Sequence, residues 1–93
     1  MNLEIEVSSA EVEAFYRRIG FNVKKFRQAK GLSQLQLALA MGFTSVSSVA
    51  KAEIGIEKKH FNLEHLYKIA KVLEINLCEF MEEEKSDVMP LVF

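Results

Sequence analysis

From Val12 to Phe80 the apolar residues return at steps of three and four, and glycines at 31, 42 and 55 cut that pattern into short lengths. Helix is the regular structure such spacing suits, and helices this short hold only when packed on neighbours. The chain must therefore fold as short helices around one shared core. Val12, Phe15, Tyr16, Ile19, Val23 and Phe26 mark one face of a long first helix, from about Ser9 to Lys30. Ser8 and Ser9 are its N-cap candidates, and Gly31 is its terminal glycine. Gly20 lies inside the run and is expected to bend or weaken it, at about 1 kcal/mol, or to divide it into two abutting helices.

Ser33 with Gln36 forms a capping box that opens a second helix, with Leu37, Ala38 and Met41 inward and Gly42 at its end. After the turn Phe43-Thr44, Ser45 is the predicted cap of a third helix reaching Ile54, with Val49 and Ala52 inward and Gly55 closing it. Residues 56–61 read as a polar loop. Asn62 opens a fourth helix carrying Leu63, Leu66, Tyr67, Ala70 and Leu73, and Asn76 with Glu79 opens a short fifth through Met81. The chain thus divides into an extension, residues 1–8, a helical domain, 9–81, and an acidic then apolar tail, 82–93. Leu3, Ile5 and Val7 alternate with polar residues in a strand-like pattern, which has no pairing partner within a helical chain. That segment is expected either to lack fixed structure or to pair with its copy in a second subunit.

With 49% hydrophobic residues, the 93-residue chain can fill one core. No apolar run approaches the ~20 residues of a membrane span. The beginning, MNLEIEVSS, lacks the basic segment of a signal peptide, and Cys78 has no second cysteine to pair with. Both features fit a cytoplasmic setting. Charge is unevenly spread. Residues 14–60 hold nine basic side chains against two acidic ones, net +7, between ends of −4 each. A basic middle attracts polyanions, although solvated helix faces give the same count.

Catalytic chemistry is not visible. His60 and His65 stand five apart without cysteine or clustered acids, so no metal site is expected. Cys78 has no accompanying base, and neither a Ser-His-Asp order nor a phosphate loop occurs. The expectation is a non-enzyme without cofactor.

The informative stretch is GLSQLQLALAMGFTSVSSVAKAEIG, Gly31 to Gly55: two short helices meeting at a tight turn, with Ala38 small enough to let the second approach. Ser45, Ser47 and Ser48 gather at the amino end of the second of these helices, where free N–H groups and the helix dipole favour phosphate. Serine hydroxyls serve base edges or phosphates, and Lys51 lies about one turn further on.

Together with NLEHLYKIAKVLEINLCEF, this stretch resembles the repressor/Cro (Xre-type) helix-turn-helix family over roughly Ile19 to Met81. The resemblance implies an all-α, five-helix, lambda-repressor-like DNA-binding domain, here with an extended N-terminal helix and short terminal extensions. It implies that Gln34 holds a phosphate, that Val46, Ser47 and Lys51 meet bases, and that Arg27 and Glu53 form a structural ion pair. Thr44, Ser45, Ser48, Lys58 and Lys59 complete the expected DNA-binding set. The chain departs from the family in several places. The segment from Gly42 to Gly55 is one residue longer than the commonest spacing, the following loop is about two longer, and Ala52 replaces a larger residue. Leu35 and Leu39 stand where charged residues are usual. Four apart on one helix face, they are expected to be buried under the apolar tail with Val92 and Phe93, under the chain start, or under a partner subunit.

The function these readings point to is a homodimeric, site-specific regulator of transcription on double-stranded DNA. A phage-type repressor, a restriction–modification controller and an antitoxin fit equally. The alternative is a protein-interaction module on the same fold, with little or no DNA binding.

Overall fold

The computed structural model describes residues 4–83, which form four α-helices and one 3₁₀ helix. The α-helices are α1 (Ser9–Ala29), α2 (Gln34–Ala40), α3 (Ser47–Ile54) and α4 (Leu63–Leu73). The 3₁₀ helix is Leu77–Met81. No strand occurs among the described residues, and Ile5 and Val7 lie exposed in irregular backbone before α1. The tail bearing Val92 and Phe93 lies outside the described residues.

α1 starts at Ser8, whose hydroxyl accepts the Glu11 N–H at 3.1 Å while Glu11 returns the bond to the Ser8 N–H at 3.1 Å. Gly31 turns the chain out of it with a left-handed φ of 82°, which costs glycine nothing. α1 runs through Gly20 without a break, contrary to the expected bend. The reason is tertiary: Gly20 is where the backbone of α3 presses against α1, so the missing side chain makes room rather than a hinge.

Val23 of α1, Leu37 of α2, Val49 of α3, Ile69 of α4 and Phe80 of the 3₁₀ helix are each fully buried in one core. Every element contributes, so none is stable alone. The predicted fifth helix is a 3₁₀ turn: over five residues the tighter i→i+3 bonds form, with Glu79 N–H to Asn76 carbonyl at 3.0 Å. A buried asparagine locks it in place. Asn22 of α1 donates from Nδ2 to the carbonyls of Phe80 and Glu82, both at 2.8 Å. Each bond satisfies a carbonyl at the chain end of the domain that helix geometry leaves open.

Candidate nucleic-acid interface

α2 and α3 are placed by one polar cluster inside the domain. Arg27, on the last turn of α1, donates from Nε to Glu53 Oε2 at 2.7 Å and from Nη2 to Glu53 Oε1 at 3.1 Å. Its Nη1 donates to the Leu32 carbonyl at 2.7 Å, which fixes the loop into α2. Gln34, the first residue of α2, donates from Nε2 to Glu53 Oε1 at 2.9 Å. Arg27 and Glu53 are 6% and 3% exposed, so the charges are taken from water and held by each other. Fork-shaped pairing of guanidinium with carboxylate fixes direction as well as distance. The cluster therefore sets the angle between α1, the start of α2 and the end of α3. Gln34, the expected phosphate holder, has one of its two amide N–H donors committed here, leaving one for another acceptor.

α3 is exposed along its outer side. Thr44 and Ser45 form the bend before it, and Ser45, Val46, Ser47 and Ser48 all face solvent. Ser45 was expected to cap α3 and does not. The N-cap is Val46, whose backbone is already right-handed helical (φ −81°, ψ −14°), and no side chain bonds the first-turn N–H groups. By contrast α1, α2, α4 and the 3₁₀ helix each carry a complete capping box, from Ser8, Ser33, Asn62 and Asn76. The amino end of α3 thus keeps its donors free for water or an anion.

The basic residues divide. Lys51 is half-buried and pairs with Glu57 at 2.9 Å, so its charge is partly neutralised within the chain. Glu57 and Lys58 both adopt left-handed backbone, φ 55° and 57°, which folds the longer loop into a tight turn after Gly55. Lys58 and Lys59 stand exposed on that turn, and the Lys59 N–H bonds the Ile56 carbonyl at 2.9 Å. Lys59 shares a cavity of about 340 Å³ with Ser48, Phe43, His60 and His65, so the loop and α3 form one continuous surface.

His65 lines that cavity and has a role its sequence position did not suggest. As the third residue of α4 it completes a capping box: its Nδ1 accepts the Asn62 N–H at 3.2 Å, and its own N–H bonds Asn62 Oδ1 at 2.7 Å. Phe43 and Phe61 meet its ring edge-on. Burial lowers its pKa below the ordinary histidine value; Glu64 opposes that effect and Lys68 adds to it. His60 instead stacks on Tyr16, with ring centres 3.7 Å apart. No group of residues suited to a metal ion occurs among the described residues.

Leu35 and Leu39, expected to be buried, are 50% and 58% exposed. They lie on the side of α2 away from Leu37 and Ala38, which face the core, so the described residues do not cover them. No helix is long and apolar enough to cross a membrane among the described residues.

No curated protein matches the chain. A family model described as helix-turn-helix matches residues 23–80, more than half the chain, taking in α2, the turn and α3. The chain belongs to the Xre/Cro-type helix-turn-helix family, a family of DNA-binding domains.

Proposed function

We propose that the protein is a sequence-specific, DNA-binding regulator of transcription that works as a homodimer, each protomer laying α3 in one major groove. The observation that carries this reading is the amino end of α3. Alone among the described helical elements it lacks a side-chain cap, and it offers Ser45, Ser47 and Ser48 around its open N–H groups. An anion placed there gains both the unused donors and the helix dipole. The buried Arg27–Glu53 pair supports the reading, because a recognition helix must be held at a fixed angle. Gln34, Lys58 and Lys59 flank α3 and supply phosphate contacts; Val46, Ser47 and Lys51 supply the groove face. Serines offer fewer bidentate base contacts than arginine, so phosphate placement and DNA shape carry much of the selectivity. Two-fold symmetry sets the half-sites about 34 Å apart.

A mobility-shift assay against genomic fragments at several salt concentrations tests this. Retardation that weakens steeply with salt is expected. No retardation at low salt contradicts it.

A second reading, a protein-binding module, gains from one observation: the paired exposure of Leu35 and Leu39 on α2. Capture of DNA by the wild-type chain with undiminished binding after Leu35→Ser/Leu39→Ser separates the two.

A further inference from the structure

Two departures from the family's usual pattern meet at one place. Ala52 stands where a larger residue is usual, and the loop after Gly55 is longer than usual. Both border the cavity of about 340 Å³ between α3, that loop and the start of α4. Ala52 offers it a single methyl group, and the loop brings Lys59 and His60 to it. A space of this size lies at the lower end of small-molecule sites.

The lining sorts into rings and donors. Phe43 and Phe61 meet the His65 ring edge-on, with ring centres 5.3 and 6.3 Å away, and His60 is held by its stack on Tyr16. The polar side chains are those of Ser48, Lys59 and the two histidines, and no carboxylate lines the space. The α4 cap decides the state of His65. Its Nδ1 accepts the Asn62 N–H, so the neutral ring carries its proton on Nε2. That N–H, the Lys59 ammonium and the Ser48 hydroxyl have no partner among the described residues. Open donors call for an anionic acceptor, and a carboxylate takes several at once. Aromatic walls call for a flat apolar body, which a bare inorganic anion lacks.

We propose that this cleft binds a small aromatic carboxylate, its ring against Phe43 and Phe61 and its carboxylate toward Lys59, Ser48 and the Nε2–H of His65. Ser48 and Lys59 also belong to the proposed DNA face, so the bound carboxylate competes with DNA. That consequence rests on the proposed function; the binding itself does not.

Titration of the labelled full chain with benzoate, followed through its amide shifts, tests the binding. Saturable shifts at Ser48, Lys59, Phe61 and His65 with a Kd of about 1 mM are expected. Benzyl alcohol, which lacks the charge, and acetate and inorganic phosphate, which lack the ring, should bind at least about tenfold more weakly. Ala52→Leu, which takes up the space, should raise the benzoate Kd at least about tenfold. Lys59→Gln should raise it about threefold, and because Lys59 is exposed this variant decides the matter even where Ala52→Leu fails to fold. Absence of saturable shifts overturns the proposal, as does a Kd indifferent to Lys59→Gln. Phosphate binding as tightly as benzoate also overturns it and leaves a plain anion site. On a DNA fragment that the chain retards, saturating benzoate should reduce retardation; bound benzoate that leaves retardation unchanged overturns the competition. Benzoate binding by a chain that retards no DNA overturns the DNA reading alone, and retardation without benzoate binding overturns this site alone.

Discussion

The carbonyl oxygen of Ala52 lies where a side chain at Gly20 would begin: a Cβ built on Gly20 would stand 2.5 Å from it and 2.7 Å from the Glu53 carbonyl oxygen. Both obstacles are backbone, so neither can swing aside. The contact sits in mid-α1 and brings the last turn of α3 against it, next to the Arg27–Glu53 pair. The chain joins these helices by close backbone approach.

Gly20→Ala should therefore destabilise the domain. Helix propensity favours alanine by about 1 kcal/mol, but overpacking against fixed backbone costs about 1–3 kcal/mol or more. Urea unfolding should show a lower midpoint for the variant. A raised midpoint would mean that the helices do not touch there.

Arg27 and Glu53 should behave as one unit. Arg27→Met alone or Glu53→Leu alone strands a buried charge and should cost about 3–5 kcal/mol. The double variant should lose clearly less than the sum, because neither charge is left behind. Additive losses in the cycle would contradict the pairing geometry.

His65 should make stability depend on pH. In the folded state burial holds its pKa down, and its Nδ1 must be unprotonated to accept the Asn62 N–H. The unfolded chain therefore takes up the proton first. The stabilisation is complete above the free imidazole pKa of about 6.5 and is lost as pH falls through the lower folded value. Glutamine also serves at this position of a capping box, so His65→Gln should keep the cap and flatten this part of the profile. Identical pH profiles for wild type and variant would exclude the effect.

Lys51 should bind DNA better when released from Glu57. The pair is on the surface and worth at most about 1 kcal/mol, so Glu57→Gln should raise affinity by up to about fivefold. Lys58→Ala or Lys59→Ala should instead weaken binding to all sequences alike and reduce the salt slope by about one. Filter binding over a salt series measures both. Affinity that falls in Glu57→Gln would place Lys51 away from the DNA.

What the sequence made legible was mostly local. The caps at Ser33 and Asn62, the glycine stops and the inward face of α2 depend on neighbours within a turn or two, and spacing reveals them; on α4 the same spacing also marks Leu63 and Tyr67, which are exposed, and passes over Ile69, which is fully buried. What it hid depends on residues far apart. Asn22 reads as an ordinary helix position until its bonds to Phe80 and Glu82 appear. Gly20 reads as a flaw until α3 lies against it. At the candidate site the exposed serines were visible, whereas Gln34 bonding to Glu53 and Lys51 bonding to Glu57 were not. Ser45 misled because a serine beside a helix start suggests a cap, and the backbone at Val46 had already turned helical.

On the proposed function, α3 meets DNA through its open amino end. Amide chemical-shift changes on titrating the labelled protein with a selected DNA site test it most directly. The largest changes are expected at residues 44–51, with smaller ones at Gln34, Lys58 and Lys59. Changes concentrated on Leu35, Leu39 or the first half of α1, with residues 44–51 unmoved, would contradict it.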